Sequence, residues 1–412
     1  MAIPKRINIL YGSWRSSKSV AVDLKFLMDI LKLPDGNILL VGNTINSLQR
    51  NVISVLKSII GTRNIDIKRQ SKELDIFGRT VWIEGADKED AYKRIEGESL
   101  VCAYIDEWSH VPESFTSTLM SRLSDPGARM YATCNPESPG HYIYRKYIQR
   151  ADALDIALWK FTLDDNPWLD PAYKQSIVAE NPPGTIFYDR NILGNWVAAS
   201  GLVFANFDPS HHVSATPPAL KPKELRIGVD YGTHNPAAFV SIEKYLVPGR
   251  IRPTWYVTRE YYWDSQVMYE QKTDLEYSRD LASYLSGTWV QPDKLRYPLE
   301  GGACESTPSE LHPVAMYQHP TTIEVDPSAA SFILQLQRDG MRRARAANSD
   351  VLGGIRKIAT MISSGDLVIT QRCPWLIHTM GTYGWKADSQ VDEVVKENDH
   401  VIDALRYAIN SL

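Results

Sequence analysis

Hydrophobic residues in the first 160 positions alternate between short continuous runs and helical spacing. Apolar runs at residues 7–11 and 38–42 predict buried strands, and residues 20–31 predict a helix between them. An amphipathic helix is expected after the second strand, with Ser47 as its N-cap. Because strand-like and helix-like runs alternate in this way, the pattern predicts an α/β fold.

Three further segments continue the pattern in this half of the chain. Residues 74–83 predict a hairpin, and residues 100–105 and 129–133 are short apolar runs that predict strands. In the other half, residues 225–230 predict a strand that begins directly after a proline-rich stretch. The hydrophobic pattern therefore restarts near residue 225.

The proline-rich stretch predicts a linker between domains. Residues 209–223 contain four prolines and show little periodicity. A chain of 412 residues suggests two or three domains, at roughly 100–200 residues each. The predicted divisions are a first domain of residues 1–205 with a lid or linker subdomain at about 160–205, a linker of residues 206–223, and a second domain of residues 224–412.

A phosphate-binding pattern occupies the turn between the first strand and the first helix. It consists of Gly12, Ser13, Trp14, Arg15, Ser16, Ser17, Lys18 and Ser19. Backbone N–H groups at a helix start point at phosphates, and the helix dipole favours their charge. Lys18 would reach the β- and γ-phosphates of a nucleotide, and Ser19 would place its hydroxyl on Mg²⁺.

Ser17 departs from the usual pattern, which has Gly directly before the Lys. Gly fits that place because it tolerates unusual backbone angles and a close phosphate. Ser is the smallest polar replacement, so we interpret the loop as a variant. A chance spacing in an ordinary loop is the alternative.

Two acids follow the apolar run at residues 100–105. In phosphate-loop ATPases the first, here Asp106, holds Mg²⁺, and the next, here Glu107, orients and deprotonates the attacking water. A strand that simply ends in solvated acids is the alternative. Together with the loop at Lys18, the two acids predict an ATPase site.

Two other residues are candidates for this site. Arg15 could supply positive charge to the γ-phosphate from within the same chain, or it could be an exposed loop arginine. Asn135 follows the run at residues 129–133, where it could sense the γ-phosphate or only cap the turn before Pro136.

A second group of acids lies in the other half of the chain. Asp230 and Asp326 each end a predicted strand, and Asp403 lies on a predicted C-terminal helix. Such hard oxygen ligands hold pairs of Mg²⁺ or Mn²⁺ ions, which catalyse phosphodiester hydrolysis. Asp399 and His400 lie four and three residues before Asp403, so either could share its helix face. His400 could bind metal or carry protons, and solvated strand-end acids are the alternative.

Composition changes this picture little. Apolar residues make up 43% and charged residues 23% of the chain, as in globular proteins with full cores, and no run is long enough for a membrane span. Cys102, Cys134, Cys304 and Cys373 are scattered without paired spacing, which fits a reducing cytosol.

The net charge gives no general attraction for nucleic acid. Because it is −4, DNA contacts must come from local patches. One such patch could be the run of Arg338, Arg342, Arg343 and Arg345, although a solvated helix face is the better interpretation of that run alone.

Taken in order, these motifs resemble the large terminase subunit of tailed double-stranded DNA phages, over nearly the whole chain. The matching segments are residues 12–19, 104–107, 133–136, 162–167, 194–196, 201–204, 230–232, Asp326 and residues 398–407. The resemblance implies an α/β protein with an N-terminal P-loop ATPase of the additional-strand type and a C-terminal nuclease domain with an RNase-H-like fold.

The resemblance also implies activity, cofactors and partners. ATP hydrolysis would drive double-stranded DNA into a procapsid, and a two-metal endonuclease would cut the concatemer. ATP with Mg²⁺, and two Mg²⁺ or Mn²⁺ ions, would be the cofactors. The portal protein, the small terminase subunit and further copies in a ring would be partners in the host cytoplasm, with transient docking on the procapsid and no membrane.

Residue roles follow from the same resemblance. Lys18, Ser19 and Asp106 look like nucleotide and Mg²⁺ ligands. Glu107 looks like the catalytic acid, and Asn135 looks like part of the coupling motif. In the other half of the chain, the nuclease metal triad is matched by Asp230, Asp326 and Asp403, with His400 beside it. Trp14 stands where the family usually has its loop arginine, and Arg15 comes one residue later. Whether Asp399 or Asp403 is the third ligand stays open.

Two other classes of function are alternatives. One is a stand-alone ATP-dependent DNA repair or replication nuclease, although no further helicase motif occurs between Asn135 and Asp230. The other is a binding protein with a decayed phosphate loop, because Trp14 and Ser17 are unusual there.

Overall fold

The computed structural model describes residues 5–68, 71–295, 320–386 and 391–412, so Cys304 lies outside the described residues. The chain divides into two compact units. The first comprises residues 1–178, 186–199 and 388–392, and the second comprises residues 179–185, 200–387 and 393–412. The domain limits expected from the sequence stay a prediction.

The first unit is built around an eight-stranded sheet of described residues. Its strands are β1 Ile7–Gly12, β2 Asn37–Gly42, β3 Ile65–Lys68, β4 Glu73–Ile76, β5 Arg79–Gly85, β6 Leu100–Ile105, β7 Arg129–Cys134 and β8 Ile156–Phe161. The helices of this part of the chain are α1 Lys18–Ile30, α2 Ile45–Leu48, α3 Ser54–Ile60, α4 Glu113–Arg122 and α5 Pro171–Glu180.

The strand order of this sheet is β3-β4-β5-β2-β6-β7-β1-β8. The predicted hairpin is confirmed as the antiparallel pair β4–β5, whereas β5, β2, β6, β7, β1 and β8 run parallel. Strand β7 lies between β1 and β6. It is the additional strand that the family resemblance implies. Because the strands are parallel, the carboxyl ends of β1, β6 and β7 meet at one edge of the sheet.

The helix start predicted at Ser47 is wrong. Thr44 is the N-cap, with extended backbone angles, and its hydroxyl accepts the N–H of Ser47 at 3.0 Å. The Ser47 hydroxyl in return accepts the N–H of Thr44 at 3.1 Å, so Ser47 is the third helical residue of a reciprocal cap. The helical run to Ile60 is also interrupted by a π turn at Gln49–Ile53.

The second unit contains a seven-stranded sheet of described residues in the order β14-β13-β10-β11-β12-β15-β9. Its strands are β9 Val213–Ser214, β10 Glu224–Asp230, β11 Ala237–Tyr245, β12 Thr254–Trp263, β13 Thr322–Val325, β14 Ala344–Ala346 and β15 Leu367–Thr370. The helices are α6 Pro209–His212, α7 Ser265–Met268, α8 Asp274–Ser286, α9 Ala330–Arg338, α10 Val351–Ser363, α11 Pro374–Thr382 and α12 His400–Asn410.

In this sheet β10, β11 and β12 are antiparallel, and β13 runs parallel to β10. Helix α12 packs directly on β10. A Cβ on Gly228 would lie 1.8 Å from the carbonyl oxygen of Ala404, so only Gly allows the helix to approach the strand this closely. Within the predicted linker, residues 209–214 form α6 and β9, and β9 pairs with β15.

No helix in the described ranges combines the length and the apolar character that a bilayer span requires. The helix α12 is nevertheless buried along nearly its whole length, because it covers β10 and β11. That burial fixes the position of the polar residues in its first turn.

Candidate functional sites

The phosphate-binding loop in the first unit is held by two neighbouring backbone segments. The N–H of Ser13 donates to the Phe161 carbonyl at 2.9 Å, and the N–H of Trp14 donates to the Asn191 carbonyl at 2.9 Å. Gly12 has a φ of 143°, and a Cβ there would lie 1.8 Å from the Phe161 oxygen. The loop can therefore leave β1 at this angle only with Gly at that position.

Three non-glycine residues around this loop have left-handed backbone angles. The φ values are 53° at Arg15, 66° at Ser17 and 52° at Glu107. Unusual backbone angles were the expected reason for the usual Gly directly before the Lys, and Ser17 has such a left-handed angle. Such angles cost free energy for residues with a Cβ and concentrate at functional sites.

Lys18, the first residue of α1, is buried with its ammonium facing the end of β7. Its Nζ donates to the Ser13 carbonyl at 3.0 Å and to Asn135 Oδ1 at 2.6 Å. Burial lowers the pKa of Lys18 to about 8, although the negative charges of Asp106 and Glu107 oppose this shift. Lys18 and Asn135, 117 residues apart, therefore meet at one edge of the sheet.

The two acids after β6 are joined through one hydroxyl on β7. Thr133 donates from Oγ1 to Asp106 Oδ1 at 2.8 Å and accepts the N–H of Glu107 at 3.0 Å. Burial raises the pKa of Asp106, and the hydrogen bond from Thr133 opposes that rise. Thr133 lies in a segment that matches the family, two residues before Asn135 at a strand end, but no role was predicted for it from the sequence.

Two other predicted residues lie at the open side of the loop. Ser19 is partly exposed in the first turn of α1, and the side chain of Arg15 is exposed. The carbonyl of Arg15 accepts a hydrogen bond from Asn166 Nδ2 at 2.8 Å. Ser16 is buried and donates from Oγ to the Ser13 carbonyl at 2.8 Å, which closes the turn.

A buried acid, Asp23, lies one helical turn beyond Ser19 on α1. It is fully buried, and the Tyr104 hydroxyl is the hydrogen-bonding group that faces its carboxyl group. Burial raises the pKa of Asp23 to about 8. The hydrogen bond with Tyr104 opposes this rise, and the charge of Asp106 adds to it. The helix carrying Lys18 thus holds a carboxyl group that is protonated at neutral pH.

In the second unit, the ends of two adjacent strands bring two of the predicted acids together. Val229 on β10 pairs with Val325 on the parallel strand β13, so Asp230 and Asp326 follow at neighbouring positions. The N–H of Asp326 donates to the Val229 carbonyl at 2.9 Å, which fixes the start of the loop after β13.

Helix α12 adds further acids to this edge of the sheet. Asp399 precedes the helix as its N-cap residue and Asp403 lies in its first turn, and both side chains are buried. Lys396 Nζ lies 3.2 Å from Asp399 Oδ2 and 3.4 Å from Asp403 Oδ2. Arg406 Nη2 lies 2.9 Å from Asp403 Oδ1. The acids on the helix are therefore neutralised by two cations of the same segment.

His400 connects the helix to β10. Its Nδ1 lies 2.8 Å from Asp230 Oδ2. Burial alone would lower the pKa of His400, but the hydrogen bond to Asp230 and the charges of Asp230, Asp399 and Asp403 raise it overall. Burial raises the pKa of Asp230, as do the charges of Asp403 and Asp326, against the opposing effect of His400.

The charges of Asp326 and Asp403 therefore both act on Asp230. Among the described residues, however, no group of three or more His, Cys, Asp or Glu side chains is arranged to hold a metal ion. The chemistry of the donors still fits divalent cations, because the three acids offer hard carboxylate oxygens that repel one another.

Two residues beside these acids were not identified from the sequence. Lys396 lies three residues before Asp399, a spacing that could have signalled an ion pair. Tyr407 is buried on α12. Burial is the main cause that raises its pKa, and the charges of Asp326 and Asp230 raise it further. Tyr407 follows Asp403 by one helical turn, so the helical period could have placed it beside that acid.

Two charged side chains of the second unit have specific partners within the fold. Arg345, in the basic run, donates to Glu324 Oε1 at 2.6 and 2.9 Å, so it is paired within the fold. Glu260, on β12, accepts the N–H groups of Trp375 at 2.8 Å and Leu376 at 2.9 Å. It therefore caps the start of α11.

The folds of the two units define the class of protein: an additional-strand P-loop ATPase joined to an RNase-H-like domain. Residues 4–183 match the family model described as phage terminase large subunit. No curated protein matches the chain.

Solved structures of the large terminase from a thermophilic bacteriophage match nearly the whole chain. One crystal form is 30% identical with a TM-score of 0.78, and the match covers 99% of this chain and 94% of that one. The complex with ADP is 29% identical with a TM-score of 0.75, covering 99% and 94%. The complex with ATP-γ-S is 29% identical with a TM-score of 0.74, covering 98% and 94%.

The chain therefore belongs to the phage large terminase family. It is an ATPase and a nuclease of the viral DNA-packaging motor, as expected from the sequence. The comparisons give no support to a stand-alone repair or replication nuclease.

Proposed function

We propose that the edge of the first sheet binds ATP through Lys18, Ser19 and Asp106. The N–H groups of the loop from Gly12 to Ser19 would surround the phosphates, and Lys18 would neutralise their charge. Mg²⁺, when bound, offsets the charge that develops during phosphoryl transfer. The Ser19 hydroxyl and the Asp106 carboxylate are the groups that would hold it.

Within this proposal, Glu107 is the base that orients and deprotonates the attacking water. Its left-handed backbone angle, with φ at 52°, turns it away from the direction of β6. Arg15 is a candidate for stabilising the γ-phosphate charge, because its exposed side chain is free to fold over the loop.

Asn135 is proposed to report the state of the γ-phosphate. It accepts a hydrogen bond from Lys18 Nζ at 2.6 Å, and a phosphate bound to Lys18 would compete for the same ammonium. Nucleotide binding would therefore change the contacts at the end of β7. The same strand carries Thr133, which contacts Asp106 and Glu107.

We propose that Asp230, Asp326 and Asp403 hold two Mg²⁺ or Mn²⁺ ions, with Asp399 as the alternative third ligand. Two such ions, when bound, stabilise the entering and leaving oxygens of phosphodiester hydrolysis. His400 holds Asp230 by its hydrogen bond at 2.8 Å, and it would orient that carboxylate or carry a proton. Lys396 would move away from Asp403 as that acid takes up a cation.

The proposed substrate of this second site is concatemeric double-stranded DNA, which the ATPase moves into a procapsid. The portal protein, the small terminase subunit and further copies in a ring on the portal are proposed partners. The proposed place of action is the cytoplasm of the infected bacterium, with transient docking on the procapsid. Family membership supports these assignments.

The observation that carries the proposal is that each sheet gathers distant polar residues at its strand ends. Lys18 meets Asn135 in the first unit, and Asp230 meets His400 in the second. A reciprocal pair of variants of the full chain tests it. Lys18→Ala should abolish ATP hydrolysis and keep Mn²⁺-dependent DNA cleavage, whereas Asp403→Asn should abolish cleavage and keep ATP hydrolysis.

Matched controls are available for both variants. Lys25→Ala removes another lysine of α1, and Asp366→Asn changes another buried acid of the second unit that pairs with Arg250. Both controls should keep both activities. ATP hydrolysis in Lys18→Ala would contradict the proposed nucleotide site. If cleavage were retained in Asp403→Asn but lost in Asp399→Asn, the third metal ligand would be Asp399 and not Asp403.

A further inference from the structure

An exposed indole lies on the segment that is hydrogen-bonded to the phosphate-binding loop through Asn166. The Trp168 side chain is 88% exposed, in the segment between β8 and α5. Single exposed apolar residues are common on protein surfaces, so exposure alone assigns no role. The structure around Trp168 supplies two further observations.

First, the segment that carries Trp168 is held in place by its own contacts. Asp165 Oδ2 accepts the N–H of Thr162 at 2.7 Å and its hydroxyl at 2.9 Å, which closes the turn. Leu163 is buried beneath it at 3% exposure, and Pro167 restricts the backbone directly before the indole. Trp168 is therefore presented to solvent by a fixed turn.

Second, this segment is bonded to the phosphate-binding loop itself. Asn166 donates from Nδ2 to the carbonyl of Arg15 at 2.8 Å. The Oδ1 of the same side chain accepts the N–H of Trp168 at 3.3 Å. One amide side chain thus links the backbone that carries the indole to the loop. A molecule bound by the loop would have an aromatic surface within the same neighbourhood.

We propose that Trp168 is the platform on which the base of the bound nucleotide stacks. The inference rests on the proposed nucleotide role of Lys18. The loop supplies N–H groups and an ammonium, which recognise phosphates and leave the base without a partner. A purine is flat and aromatic, and stacking on an indole is a favourable way to cover it.

Stacking of this kind has a consequence for specificity. Every base has a π face, so an aromatic platform distinguishes a nucleotide from an inorganic phosphate more strongly than it distinguishes one purine from another. The structure therefore assigns to Trp168 the preference for nucleosides, with adenine and guanine both accepted.

Calorimetric titration of the full-length protein tests the proposal, with ADP, GDP and inorganic pyrophosphate as probes in the presence of Mg²⁺. Trp168→Ala should weaken ADP and GDP binding about 5- to 100-fold and leave pyrophosphate binding unchanged. Trp168→Phe should recover most of the loss, because it keeps an aromatic face. Tyr269→Ala is the matched control, since Tyr269 is 92% exposed in the second unit and should not affect any probe.

The outcomes separate this proposal from the one on which it rests. Unchanged ADP binding in Trp168→Ala would overturn the stacking role and leave the indole free for a macromolecular partner. An equal loss for ADP and pyrophosphate would also overturn it, because the residue would then act only by holding the loop. In Lys18→Ala, ADP and pyrophosphate should both bind weakly. Unchanged affinity for both probes in that variant would refute the nucleotide site itself, whatever Trp168 does.

Discussion

The two candidate sites differ in the groups that their charged side chains contact. At the nucleotide site, Lys18 is held by neutral oxygens of Ser13 and Asn135, so its charge is available to an anion. At the acidic site, Lys396 and Arg406 already neutralise Asp403, so an arriving cation must compete with them. The first site is prepared for its ligand, whereas the second must exchange internal partners to take one.

The sites also differ in how the chain builds them. At the nucleotide site, the phosphate-binding loop is one continuous stretch between β1 and α1, so its local backbone largely determines the shape of the loop. The acidic site depends on the register of β10 against β13 and on the close approach of α12. A change far from the acids can therefore destroy the second site and leave the first one intact.

The largest expected effect comes from Gly228→Ala, which disrupts the close packing of α12 on β10. The new Cβ would meet the Ala404 carbonyl at 1.8 Å, so α12 must move away from β10. We expect at least a tenfold loss of Mn²⁺-dependent cleavage, a stability loss of about 1–3 kcal/mol and unchanged ATP hydrolysis.

Gly381→Ala is the control for this variant, because no atom of the described residues lies within 4 Å of the Cβ that it adds. It should leave cleavage and ATP hydrolysis at wild-type rates. If Gly228→Ala cut DNA as fast as the wild type, the position of α12 would not control the acidic site. Parallel loss of both activities would show that the two sites are not independent.

A smaller effect is expected from Asp23→Asn, which tests the protonation of the buried carboxyl group on α1. An unfolded Asp releases its proton near pH 3.9, whereas folded Asp23 keeps it to about pH 8. Between these values the folded chain binds more protons, so Asp23 makes stability fall as the pH rises. Asp23→Asn should remove that fall and raise the melting temperature at pH 8 more than at pH 5.

Thermal unfolding followed at both pH values measures this difference. Asp366→Asn is the control, because Asp366 is buried but paired with Arg250. Identical changes at pH 5 and pH 8 in Asp23→Asn would mean that Asp23 is ionised throughout this range.

The smallest effect is expected from Ser17→Gly, which relieves the left-handed angle at the loop. The φ of 66° costs a residue with a Cβ about 1 kcal/mol relative to Gly. The variant should therefore unfold a few degrees higher in a melting experiment. Ser58→Gly in helix α3 should have the opposite effect, because Gly weakens a helix interior. A lower melting temperature for Ser17→Gly would mean that the Ser17 side chain stabilises the loop.

Much of the fold follows from the sequence because hydrophobic periodicity determines which segments become strands. The runs at residues 7–11, 38–42 and 100–105 are strands, and the α/β class is confirmed. The predicted start of α2 was wrong because the side chains of Thr44 and Ser47 both take part in the cap of that helix. Only the extended backbone at Thr44 identifies Thr44 as the N-cap.

Some residues of the candidate sites were predictable from the sequence, and others were not. Positions in the phosphate-binding loop follow from spacing alone, whereas Thr133 and Lys396 act through contacts that need the strand order and the helix start. Glu260 shows the same limit, since its partners lie 115 and 116 residues away in α11. The chemical roles of all these residues stay predictions.

Strand β7 has a mechanical consequence. Its end reaches Asp106 and Glu107 through Thr133, and the following Asn135 reaches Lys18. A small displacement of β7 along its neighbours would therefore change the contacts of Lys18 and those of Asp106 and Glu107 together. In the proposed roles of these residues, a force on this one strand would alter phosphate binding and the orientation of the attacking water in the same movement.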